Sequence, residues 1–118
     1  MAEERDVSGP RPGPALPEDA AEIEAWRRRI DAIDEQLMRL LNSRSACAVE
    51  VGRIKQRCGL PLYSPEREAW ILERVMRENP GPLEPLAVRR VFERIIDESR
   101  RLERLGGRDE PNKESEKG

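Results

Sequence analysis

Residues 40 to 55 read LLNSRSACAVEVGRIK, and they place one arginine on a stripe that is otherwise apolar. Stepping by three and four from Ile23 gives Ile23, Trp26, Ile30, Ile33, Leu37, Leu40, Arg44, Cys47, Val51, Ile54 and Cys58. Residues at these steps share one face of an α-helix, and Arg44 is the one member unsuited to a core. The pattern predicts a helix that starts near Pro17 to Asp19 and runs to about Cys58, before Gly59 and Pro61. A helix of forty residues spans about 60 Å, whereas a compact domain of this size has a radius of gyration near 13 Å. Its own chain cannot cover a stripe of that length. The expected architecture is therefore all-α, with three helices, one of them very long, in an intertwined homodimer whose long helices pack along each other. A monomeric three-helix hairpin is the alternative.

Two shorter helices follow. In YSPEREAWILERVMREN, residues 63 to 79, Ser64 is a suitable N-cap and Pro65 suits the first helical position. The stretch EPLAVRRVFERIIDESRRLERL, residues 84 to 105, repeats apolar residues at helical spacing and is expected to end at Gly106-Gly107. Residues 1 to 17 hold four of the ten prolines, and residues 106 to 118 are polar throughout. Both segments are expected to be disordered tails around a helical domain over residues 18 to 105.

Composition narrows the function. Charged residues make up 39% of the 118 residues and aromatics 3%, which suits an aliphatic helical core with solvated outer faces. The net charge of −2 provides no basic field, so nucleic acid is not an expected partner. There is no long apolar run and no signal-peptide centre, so no membrane association is expected and the location is expected to be cytoplasmic. Histidine is absent, which removes the commonest general base and the commonest metal ligand. Cys47 and Cys58 are eleven residues apart on one predicted helix, about 16 Å along its axis and beyond disulfide reach. Cys47 reads as a small core residue and Cys58 as a helix-end thiol, both reduced, with no metal-ligand spacing and no cofactor motif.

Several charges do not fit a purely structural reading. Lys55 follows Arg44 by eleven residues, which points it within about 20° of the same direction. Two long cationic arms on one face can close on a small anion, although Arg44 alone suits a buried ion pair and Lys55 alone complements a helix C-terminus. Arg67 and Glu68 open the second helix, where the dipole favours the glutamate and not the arginine. Ser99 and Glu103 share a face of the third helix at i and i+4, an arrangement that in isolation is more often ordinary solvated surface. Gly52 sits mid-helix at a cost of about 1 kcal/mol relative to alanine, and close approach of a neighbouring helix explains it better than room for a ligand.

Four pieces carry a family resemblance: RRRIDAIDEQLMRLLNSR (27–44), AVEVGRIK (48–55), LPLYSPEREAWIL (60–72) and RRVFERIIDESRRLE (89–103). Over roughly residues 22 to 105 the chain resembles the all-helical, AroQ-type class of chorismate mutase. The resemblance implies a domain-swapped homodimer with two active sites, each built from both chains. Carried over by position, it implies cationic substrate contacts at Arg27, Arg44, Lys55 and Arg67, and a contact to the substrate hydroxyl at Glu68. It implies a carboxylate contact at Ser99 and a polar group at the ether oxygen at Glu103, where some relatives have glutamine. Some relatives carry aspartate at the position of Ser64, a difference of little consequence if the contact there is through the backbone. Arg27 precedes Arg44 by seventeen residues, about 25 Å along the helix. Both cannot reach one small molecule from the same helix, but Arg27 of one chain could meet Arg44 of another.

The resemblance further implies conversion of chorismate to prephenate, an intramolecular rearrangement that needs no nucleophile, metal or cofactor. The catalytic burden falls on orienting a flexible dianion and on stabilising charge at the ether oxygen, with Lys55 and Glu103 as the catalytic pair. Two rival readings remain at this level. One is an isochorismate pyruvate-lyase of the same fold, and the other is a non-catalytic helical dimer acting as an interaction or regulatory module.

Overall fold

The computed structural model describes the backbone of residues 17–117 and the side chains of residues 17–106. Three helices follow in chain order: α1 (Pro17–Cys58), α2 (Pro65–Glu78) and α3 (Pro85–Lys117). No strand occurs among the described residues. The described residues divide into two compact units, 17–39 and 40–117. The first contains only the N-terminal part of α1, and the expected N-terminal tail lies almost wholly outside the described residues.

Local chemistry sets the helix ends. Glu18 and Asp19 complement the dipole in the first turn of α1, and Lys55 and Arg57 do so in its last. Gly59, at φ 71°, then takes the left-handed conformation that ends the helix. There the Leu60 N–H donates to the Lys55 carbonyl at 2.8 Å. Ser64 caps α2 as its sequence suggested, with Oγ accepting from the Arg67 N–H at 3.4 Å and Pro65 next in line.

The sequence reading ended the third helix at Gly106-Gly107, and this needs correction, because α3 continues to Lys117. Glycine raises the cost of a helix by about 1 kcal/mol per residue but does not forbid it. Gly106 is buried, and a Cβ placed there would meet the Val49 carbonyl oxygen at 3.0 Å. Its missing side chain lets α3 lie close against α1 at the point where a stop was expected.

Packing in the second unit uses the same device at Gly52. A Cβ there would lie 2.7 Å from the Glu103 Cα and 2.8 Å from its carbonyl carbon. The mid-helix glycine is therefore explained by close approach of α3, and it seats the Glu103 backbone directly on α1. Ala48 and Ile96 are the buried apolar side chains of this small core. Gly52→Ala gains helix propensity of about 1 kcal/mol but must displace backbone, and overpacking of that kind costs about 1–3 kcal/mol. Urea unfolding should show a net loss of stability, and a Gly52→Ala protein as stable as wild type would contradict this packing.

The apolar stripe of α1 is solvated in both units. Ile23, Trp26, Ile30, Ile33 and Leu37 are all about half exposed, as are Val51 and Ile54 further along. Cys47, expected in a core, is also exposed. Helical periodicity identifies a face but not what lies opposite it, and at Cys47 the face opens onto a cavity.

Candidate functional site

The second unit carries an open cavity of about 410 Å³ between α1, the Leu60–Ser64 connection, α2 and α3. It gathers seven of the eight residues singled out in the sequence: Arg44, Lys55, Ser64, Arg67, Glu68, Ser99 and Glu103. Arg27 lies in the other unit, exposed, where it pairs with Glu24 at 3.0 Å. It is not among the residues lining this cavity.

Each side chain is held by a definable contact. Arg44 Nη1 donates to Ser99 Oγ, joining α1 to α3 across 55 positions of sequence. Lys55 Nζ donates to the Leu62 carbonyl at 2.8 Å and to Glu103 Oε1 at 3.0 Å. An ammonium has three N–H donors, so one remains for a ligand. The Lys55 and Glu103 side chains are only 20% and 17% exposed, which strengthens their interaction relative to a surface pair. Arg67 is exposed at the rim, with its guanidinium 4.9 Å from the centre of the Trp70 ring. Ser64 has its hydroxyl engaged in the α2 cap, so its side chain acts first on the helix and only then on the cavity.

One lining residue had no signal in the sequence. Arg100 donates from Nε to Glu68 Oε2 at 3.0 Å and from Nη2 to Glu68 Oε1 at 2.6 Å, a two-point grip. The Glu68 carboxylate holds the Arg100 guanidinium above its ordinary pKa, against the opposing effect of burial. Glu68 and Arg100 are 32 residues apart on different helices, so no local spacing rule could have paired them.

The charge balance of the cavity decides what it can take. Four cations (Arg44, Lys55, Arg67, Arg100) and two carboxylates (Glu68, Glu103) line it, an excess of two positive charges. Among the described residues neither Arg44 nor Arg67 is in an ion pair, so these two are available to an anion. Apolar walls come from Val51, Leu62, Ile71 and Ile96. A small, partly apolar dianion matches this lining in charge and volume. The described residues contain no group of three or more His, Cys, Asp or Glu placed to hold a metal ion. None of the helices is long and apolar enough to cross a membrane.

Comparison with known proteins leads to the same chemistry. The family described as chorismate mutase type II matches residues 26–104. A bifunctional chorismate mutase/prephenate dehydratase of Pseudomonas aeruginosa is 42% identical over 90 residues, 72% of this chain and 25% of that protein. A chorismate mutase of Methanocaldococcus jannaschii is 38% identical over 60 residues, 51% of this chain and 58% of that one. The structure of chorismate mutase (form II) from Thermus thermophilus is 36% identical, with a TM-score of 0.68 over 70% of this chain and 93% of that chain. This chain spans only about a quarter of the length of the bifunctional relatives.

Proposed function

The chain belongs to the chorismate mutase type II family, and we propose that it is an isomerase that rearranges chorismate to prephenate on the way to phenylalanine and tyrosine. The observation that carries this reading is the cavity with two excess positive charges, two arginines outside any ion pair among the described residues and one spare ammonium donor. Chorismate is a dianion with a hydroxyl and an ether bridge, and each group has a counterpart here. Arg44 and Arg67 take the carboxylates, with Ser99 assisting through the hydroxyl already bonded to Arg44. Glu68 accepts from the substrate hydroxyl. Lys55 donates its remaining N–H to the ether oxygen, where charge grows as the C–O bond breaks and the C–C bond forms.

The active form is a homodimer in which the partner subunit's Arg27 completes each site. The half-exposed stripe from Ile23 to Leu37 supports this arrangement, because the described residues of its own unit do not supply a cover for such a face. The catalytic domain is residues 18–105, the expected setting is the cytoplasm, and no cofactor takes part. The experiment is a direct assay with purified protein: chorismate should be consumed and prephenate formed. Salicylate and pyruvate from isochorismate would instead identify the lyase, and neither consumption nor binding of chorismate would favour a non-catalytic module.

Glu103 adds a condition of its own. An ether oxygen only accepts hydrogen bonds, an ionised carboxylate only accepts, and a carboxylic acid or a carboxamide donates. With Oε1 engaged by Lys55, Oε2 is the atom left to meet the ether oxygen. Glu103→Gln, a permanent donor of similar shape, should keep activity, and Glu103→Ala should lose it. An inactive Glu103→Gln would mean that Glu103 acts as an anion.

A further inference from the structure

Glu68 poses an electrostatic problem that the proposed reaction does not solve. It is a carboxylate in the first turn of α2, at the positive end of the helix dipole, yet it lines a cavity whose proposed ligand is a dianion. A bare carboxylate there would repel the ligand and could turn away from it. We propose that Arg100 is a positioning residue that fixes the Glu68 carboxylate in one orientation and cancels its charge, so that Glu68 can accept from a ligand hydroxyl inside a dianion site. The inference rests on the reading of the cavity as a chorismate site.

The geometry supports both halves of this role. The two-point contact, at 3.0 and 2.6 Å, leaves the carboxylate no free rotation about its terminal bond. Arg100 is itself steadied by the Tyr63 ring, 4.9 Å from its guanidinium, and by Asp97 at 3.9 Å from Nη2. The Arg100 and Glu68 side chains are 34% and 22% exposed, so solvent screens their mutual charge only in part. Each carboxylate oxygen retains a lone pair after accepting from Arg100, and that lone pair is what a hydroxyl would use. Arg100 therefore acts through Glu68 and need not touch the ligand.

The test measures chorismate kinetics and, separately, calorimetric binding of prephenate, which is also a dianion with a hydroxyl. Arg100→Met keeps the apolar stem and removes the charge. It should raise KM and the prephenate Kd by about 10- to 100-fold, the scale of a lost charged hydrogen bond, with a much smaller change in kcat. Adding Glu68→Gln to Arg100→Met should recover most of that loss, since a carboxamide has no charge to cancel. A merely structural arginine would lower the unfolding midpoint and would not be rescued in this way. An unchanged KM and Kd in Arg100→Met, or losses that multiply in the double variant, would overturn the proposal. If wild type binds prephenate without converting chorismate, the reaction fails while the Kd series still decides the role of Arg100. If it binds neither, both readings fall.

Discussion

Lys55→Ala is expected to lower kcat by about 10²- to 10³-fold, the effect of removing one preorganised donor to a developing oxyanion. The expectation follows from how the ammonium is held. The Leu62 carbonyl at 2.8 Å and the Glu103 carboxylate at 3.0 Å fix its position before any ligand arrives. The third donor then needs no reorganisation as charge builds on the ether oxygen. Removing Lys55 also leaves Glu103 without its cation, and this second effect must be separated from the first. The Lys55→Ala/Glu103→Gln double variant removes the stranded charge. If it stays as slow as Lys55→Ala, the loss belongs to the ammonium donor. A loss confined to KM would instead make Lys55 a simple carboxylate binder. Circular dichroism should show the same helical content in all of these proteins.

Arg27→Ala and Arg44→Ala should each be nearly inactive, for the same chemical reason and from very different places. Arg44 lines the cavity, bonded to Ser99 and free of any ion pair among the described residues. Truncating a charged group that meets an opposite charge in a desolvated contact costs on the order of 2–5 kcal/mol. Arg27 lies in the other unit, where among the described residues it makes an exposed ion pair with Glu24 that contributes little to folding. A structural account of the single chain predicts that Arg27→Ala is harmless. An account with a second chain predicts a loss as severe as that of Arg44→Ala. The two arginines therefore form a pair of opposite controls, and unfolding midpoints close to wild type would show that neither loss comes from the fold.

The parts of this molecule that were legible in the sequence are those set by local chemistry. Acidic residues after Pro17, the left-handed glycine at Gly59 and the Ser64-Pro65 cap each act within one turn of chain, and they placed the ends of α1 and the start of α2. Seven of the eight residues singled out line one cavity. Arg44, Lys55, Ser99 and Glu103 were legible from helix-face spacing and Ser64, Arg67 and Glu68 from the start of α2, whereas their substrate roles came from the family resemblance. What could not be read depends on contacts between distant segments. The Glu68–Arg100 grip joins two helices across 32 positions, so each residue alone looks like ordinary surface charge. Gly106 looked like a stop because its cost is local, while its benefit is a close approach to Val49 on another helix. Cys47 was placed in a core because periodicity cannot tell a packed face from a face that borders a cavity.

The proposal that each site is completed by a second chain is tested most directly by mixing. Arg27→Ala and Arg44→Ala proteins, combined in equal amounts and allowed to exchange subunits, form mixed dimers as half of the population. In each mixed dimer one site has both arginines intact and the other has neither. The account predicts recovery to roughly a quarter of wild-type activity per chain, from two proteins that are each nearly inactive alone. No recovery, with exchange proven by mass spectrometry of differently tagged chains, would contradict it.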